Sequence, residues 1–431
     1  MRALALALVT FLAGCPRGGG SPADILDTVP PADVLADEVS TGDVADGVPL
    51  EDGSTEVAPD APRPVAVAFV VDREPFVIHA AGAGEHVAFP DVLGLQDGRS
   101  LVVFRQAAVH GVDPTGRIVG RCGDAEGLAW SDPVTLVDLP GIDDRDPSLA
   151  RLATGDLLLS YFPSLSQATV DGTLSVHQVF VARSTDGGAS FGAPAQVPPD
   201  EAMDYPGAHL ADGLWVDGDG DPVIVTACSS PAVRAGGRLL LPAYGGNSWN
   251  RADPDAPRSR LTLFVSDDEG VTWSALPVAP ELSPEIWLQE PSLLVLDERH
   301  WLMHLRTAAG GSPGNAGPLW QTRTADGGET WEPYTGFPFV GHAPYLVRLS
   351  SGVLLSAFRE LDAGLDHANV SFVASLDLGA TWGEPVRIRA WEATEVGYPS
   401  IRELDDGRVL VVYYVGGTSI EGVIYRVEAT Y

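Results

Sequence analysis

Thr324-Ala325-Asp326-Gly327-Gly328-Glu329-Thr330-Trp331 is one of four near-copies of a single eight-residue pattern. The others run from Ser184 to Phe191, from Ser266 to Trp273 and from Ser375 to Trp382, each with a hydroxyl first, aspartate third, glycine fifth and an aromatic last. A worn fifth copy, Gly127 to Trp130, keeps the glycine and the aromatic and lacks the aspartate. In such a turn the aspartate accepts from neighbouring backbone N–H groups, the glycine takes a conformation closed to other residues, and the aromatic fills the gap between strands. With 48 Gly and 35 Pro and no convincing helical stretch beyond the N-terminus, the chain reads as many short strands joined by turns.

A second repeat interlocks with the first. It consists of a residue followed by proline, a short strand, a turn about eight residues further on, and a second apolar strand. It runs Phe89-Pro90 to Phe104-Arg105, Asp146-Pro147 to Tyr161-Phe162, Glu290-Pro291 to Leu305-Arg306, Ala343-Pro344 to Phe358-Arg359, and Tyr398-Pro399 to Tyr413-Tyr414. A sixth hairpin lies within 205–244 and begins either at Tyr205-Pro206 or in the stretch before Gly236-Gly237. Because the turn closes one end of each hairpin, the residue before proline and the residue ending the second strand share the other end. Phe89, Asp146, Glu290, Ala343 with its neighbour His342, and Tyr398 are therefore expected on one rim with Arg105, Phe162, Tyr244, Arg306, Arg359 and Tyr414. Guanidinium forks, aromatic faces and carboxylates converging in one funnel make the composition of a sugar site.

The eight-residue pattern resembles the Asp-box, or BNR, repeat of sialidases. That resemblance implies an all-β fold, a six-bladed β-propeller of four-stranded antiparallel blades over 65–431, with Val65–Val71 and Glu74–His79 completing the last blade. It extends to particular residues. Tyr398 is similar to the family's nucleophilic tyrosine, Glu290 to its partner glutamate, and Arg306 to one arginine of the family's carboxylate-binding triad. A tyrosine titrates near ~10 unassisted, so it needs a carboxylate base, and a neutral nucleophile avoids repulsion by an acidic sugar. The chain departs from the family where an Arg-Ile-Pro is expected, reading Ala88-Phe89-Pro90, and again at His367-Ala368-Asn369 in place of Arg-x-Asn. Arg105 and Arg359 are the candidates to rebuild a substrate-binding cluster with Arg306. Asp146 is the candidate acid, on the same rung as Glu290, with His110 and His342 as alternatives.

Composition narrows the chemistry further. All 26 basic residues are arginine, which excludes Schiff-base, P-loop and lysine-base mechanisms. A formal charge of −33 excludes a nucleic-acid footprint. Residues 1–15 pair an apolar run with Leu12-Ala13-Gly14-Cys15, which resembles a bacterial lipoprotein leader with Cys15 as the lipidated residue. Pro16 after it favours the outer over the inner membrane, the lipid being the only membrane attachment expected. Residues 16–64 hold 11 acidic residues against 2 arginines and no aromatic, a self-repelling composition expected to be a disordered tether. Cys122 and Cys228 are either bonded to each other or separately buried, and no Cys/His spacing suggests a metal. Asp217-Gly218-Asp219-Gly220-Asp221 fails the calcium-loop pattern, because Pro222 stands where its glycine belongs. The expected protein is thus a monomeric exo-glycosidase acting on a terminal sugar without cofactor or metal. The alternatives are a non-catalytic glycan- or protein-binding propeller, and a glycosidase using Asp146 and Glu290 as two carboxylates on a neutral sugar.

Overall fold

The computed structural model describes residues 63–431 except 170–171, 200–206, 212–213, 221, 228–229, 246–258, 279–285, 310–315, 363–366 and 392–394. Cys15, the leader, most of the acidic stretch, Tyr205 and Cys228 lie outside the described residues. Among those described the secondary structure is entirely β, with no helix and therefore none long and apolar enough to cross a membrane.

Six hairpins recur in chain order and are numbered here as units 1 to 6. Their inner strands are His86–Gly94, Asp143–Arg151, the broken pair Val225–Thr226 and Val233–Ala235, Ile286–Val295, the C-terminal half of Thr335–Arg348, and Val396–Glu403. Each pairs antiparallel with the strand that follows its turn. Unit 3 is fixed by the pairing of Thr226 with Tyr244 and of Ala235 with Arg238, so its turn is Gly236-Gly237, the second of the two registers open from sequence.

The sheets do not divide evenly into fours. Two are four-stranded, two five-stranded, one seven-stranded and one a separate two-stranded ribbon, His209–Ala211 with Leu214–Val216. The seven-stranded sheet arises because Thr335–Arg348 pairs with Pro318–Thr324 through its first half and with Leu354–Leu361 through its second, joining units 4 and 5. The five-stranded sheets arise because Gly172–His177 adds to unit 2 and the inner strand of unit 3 is broken in two.

Apolar burial lies between consecutive units. Units 1 and 2 share a core around Leu101, Leu159 and Tyr161, units 2 and 3 around Leu158 and Phe264, and units 3 and 4 around Leu263 and Trp301. Leu302, Leu354 and Phe358 join units 4 and 5, and Phe372 with Tyr413 joins 5 and 6. Unit 6 then packs back on unit 1 through Phe104, Leu410 and Tyr414, closing the circle. The first strand, Ala66–Ala80, pairs antiparallel with the last, Ser419–Thr430, in the sheet of unit 6, as the sequence suggested.

The eight-residue turns form as their composition requires. Ser375 Oγ donates to Asp377 at 2.8 Å and accepts from Gly379 N at 2.8 Å, while Asp377 also accepts from Thr381 N at 2.8 Å. The hydroxyl before the aromatic, here Thr381, closes the ring of bonds at 2.6 Å, a fixed position that the sequence pattern had left open. The worn copy is not without its aspartate. Asp124, three residues before Gly127, accepts from Leu128 N and Ala129 N at 2.7 and 3.1 Å.

Candidate functional site

The residue before each inner-strand proline is backbone-distorted in the same way. Phe89, Asp146, Glu290, Ala343 and Tyr398 have φ of 58°, 49°, 49°, 48° and 49°, the left-handed region that side chains other than glycine seldom enter. Proline next in sequence disfavours the right-handed helical alternative. Each strand bulges there, two residues facing one on the partner strand. The facing residue is Phe104, Tyr161, Leu305, Phe358 or Tyr413, each fully buried. Such conformations cost about 1–3 kcal/mol each and persist only where packing enforces them. The bulge turns five side chains out of the pleat; among them Tyr398 is bonded to Glu290 and lines one cavity with Asp146.

Two residues further on, a second ring binds unit to unit. Ser292 Oγ accepts from Leu346 N of the next unit at 2.9 Å. Ser400 Oγ accepts from Val92 N at 3.0 Å and donates to Asp91 at 2.6 Å, and Asp91 accepts from Leu149 N at 2.6 Å. Burial pushes the Asp91 carboxyl up to about 6 against these hydrogen bonds. Asp91, Ser148 and Tyr345 line, with Phe89, Asp146 and Tyr398, a cavity of the order of one water molecule.

Above it, Tyr398 Oη donates to Glu290 Oε1 at 2.6 Å. Arg306 Nη1 donates to the same oxygen at 2.8 Å, and the other, Oε2, accepts from Ala343 N at 2.7 Å. Glu290 is only 3% exposed, so its orientation is held from three sides. The Arg359 guanidinium lies 5.0 Å from the Tyr398 ring centre and its Nη2 donates to Tyr414 Oη at 3.1 Å. Gly397 makes this possible, since a Cβ there would stand 2.8 Å from the Arg359 side chain. Phe89 packs edge-on against Tyr398 with centroids 4.8 Å apart. His342 is buried with neither ring nitrogen hydrogen-bonded. Burial, with Arg306 and Arg359 nearby, holds it well below the usual imidazole range and thus neutral.

Asp146 is buried, with Arg145 Nε 3.8 Å from its carboxylate. Burial raises its pKa to about 7, Arg145 opposing and Glu290 reinforcing the rise. A carboxyl that keeps its proton to near neutrality beside an oriented tyrosine–carboxylate pair can act as a proton donor.

Arg105 corrects the sequence reading. Its side chain is fully buried, bonded to both oxygens of Asp143 at 2.7 and 2.9 Å and to the carbonyls of Val109 and Gly111, so it reaches no substrate. Arg145 is the arginine on this side, 5.2 Å over the Phe89 ring, and no sequence pattern marked it as such. Asp143 was missed as well. His110 and Glu395 stand close by, with His86, and no spacing in the sequence joins the three.

The domain model described as BNR repeat-like domain matches residues 99–411. The chain belongs to this family. No curated protein matches it. Among solved structures it is similar to a Dyadobacter fermentans protein of unknown function, at 23% identity and TM-score 0.67 over 84% of this chain and 99% of that one. It is also similar to a Hadza microbial sialidase, at 16% identity and TM-score 0.59 over 82% and 68% of the two chains. A third likeness is to an α-L-arabinanase of Penicillium chrysogenum complexed with arabinobiose, at 15% identity and TM-score 0.56 over 83% and 98%. At these identities the BNR repeat-like chain shares a fold with propeller glycosidases, and its chemistry rests on its own residues.

Cys122 is disulfide-bonded.

Proposed function

We propose that this BNR repeat-like protein is a retaining exo-glycosidase of the sialidase superfamily, its sheets forming the six blades of a propeller around the site. The observation that carries the reading is the 2.6 Å bond from Tyr398 Oη to Glu290, with Arg306 on the same carboxylate oxygen. Glu290 takes the phenolic proton as Tyr398 Oη attacks the anomeric carbon, and Asp146 gives its proton to the departing glycosidic oxygen. Water then attacks the glycosyl–tyrosine bond, losing a proton to Asp146, and Tyr398 recovers its proton from Glu290. Arg306 and Arg359 line the place where a terminal, acidic sugar binds. The sugar sits above the central cavity, which is far too small to hold it. A monomer anchored through lipid on Cys15, the acidic stretch giving it reach from the outer membrane, completes the proposal.

The test is hydrolysis of a panel of fluorogenic glycosides, sialosides and arabinosides included, by the wild type, Tyr398→Phe and Glu290→Gln. Both substitutions are expected to lower kcat by more than about a hundredfold. Turnover unchanged in both overturns the mechanism, and glycan binding without any turnover supports a binding propeller instead.

A further inference from the structure

We propose that His86, His110 and Glu395 form a binding site for one divalent transition-metal ion of the zinc type, at the rim where units 1 and 6 meet. Their donor atoms lie within 4.8 Å of one another. His86 Nε2 is 2.5 Å and His110 Nδ1 3.1 Å from the same oxygen, Glu395 Oε1. Two imidazoles and one carboxylate are a donor set of zinc sites that keep a position open, and bond lengths of ~2.0–2.2 Å fit a cluster of this size after small side-chain movements.

The three residues are held by different parts of the chain. His86 begins the inner strand of unit 1, and the N–H of Val87 donates to Gly417 O of unit 6 at 2.8 Å. Gly417 has φ of 63°, and a Cβ on it would overlap the His86 imidazole, so glycine there leaves the ring its place. Glu395 precedes the inner strand of unit 6, its carbonyl accepting from Gly416 N at 2.6 Å. His110 follows the second strand of unit 1 and stands edge-on to His86 with centroids 5.2 Å apart. Its side chain is 50% exposed and that of Glu395 38%, against 10% for His86, so the open position faces solvent at the mouth of the site.

Arg145 donates to His110 O at 3.1 Å and opposes a cation here, though it also lies 3.0 Å from the Asp143 carboxylate that it shares with Arg105. Glu395 lies three residues before Tyr398, and His110 packs 5.5 Å from the Phe89 ring that touches Tyr398. An ion so placed holds a water or a ligand oxygen beside the tyrosine. The site stands on its own geometry and does not depend on the proposed reaction.

The full-length protein, stripped with chelator and dialysed, is titrated with Zn²⁺ by calorimetry, and its Tm is followed with and without the ion. Saturation at one equivalent is expected, with a rise in Tm and, on Co²⁺ loading, the visible absorption of a low-coordinate cobalt site. His110→Ala and Glu395→Gln, both at part-exposed positions, are expected to weaken binding by at least about tenfold while leaving the metal-free Tm near that of the wild type. No saturable binding, or binding unchanged in both variants, overturns the site, because the ion is then held by the acidic surface at large.

Discussion

Asp146→Asn separates the electrostatics of the site from its geometry. The Asp146 carboxyl is 5% exposed, and its pKa rises from 3.8 to about 7, mainly through burial. The folded protein therefore holds this proton more tightly than the unfolded chain does. The stability linked to it is fully present below about pH 4, falls as pH rises through the folded value, and is gone above about pH 7. At about 1.36 kcal/mol per pH unit the difference amounts to at most ~4 kcal/mol. Asparagine keeps the shape and cannot ionise, so the variant gains on the wild type by that amount between about pH 4 and about pH 8. For a folded part of about 370 residues, an unfolding entropy of ~2.1 cal/mol/K per residue turns ~4 kcal/mol into about 5 °C of Tm. Scanning calorimetry of both proteins across this range is the assay. Their Tm difference is expected to move in favour of the Asp146→Asn variant as pH rises, by several degrees. A difference that stays flat refutes the reasoning, since Asp146 then ionises alike in the folded and unfolded chains. Under the proposed mechanism the wild-type rate also falls above about pH 7, as the acid loses its proton.

Three further outcomes follow from the geometry. Arg105→Met takes the bidentate partner from buried Asp143, leaving it Arg145 at 3.0 Å, and is expected to lower stability by about 1–3 kcal/mol in urea unfolding; if it instead raises KM at unchanged stability, Arg105 is a substrate ligand after all. Gly397→Ala forces a Cβ against Arg359 in an unfavourable conformation, so a stability loss of about 1–3 kcal/mol is expected, with kcat or KM disturbed through Arg359 and Tyr398. Asp377→Ala removes the acceptor of one eight-residue turn and is expected to lower Tm by a few degrees while leaving any activity intact, as a purely structural turn requires.

Features with a local cause were legible in the sequence. Serine, aspartate, glycine and tryptophan at fixed offsets build a turn from neighbouring residues alone, and a residue before proline in five hairpins marks five equivalent rungs. The pairing of Arg306 with Glu290 spans one hairpin, and Tyr398 follows from its rung. What depended on closure of the circle was hidden. His86 and Glu395 are 309 positions apart and meet only because unit 6 packs on unit 1. Arg105 looked like a rim residue because Asp143, three strands later, carries no mark of being its partner. The even division into four-stranded sheets failed where Thr335–Arg348 is long enough to serve two units.

The pairing of the first strand with the last also sets a timetable. Ala80 meets Ser419, so at ~5–20 residues per second roughly 20 seconds to a minute separates the emergence of one from the other. Throughout that wait Ala66–Ala80 is a fifteen-residue strand with an unpaired edge, open to a second copy of itself. Its centre reads Asp72-Arg73-Glu74-Pro75, three charges and a proline between apolar flanks, and the register of the finished pair slips at this point. A self-pairing rival would have to accommodate the same charges and the same missing N–H without the gain of a closed circle. The irregular middle of this strand thus guards the chain during the interval before its proper partner exists.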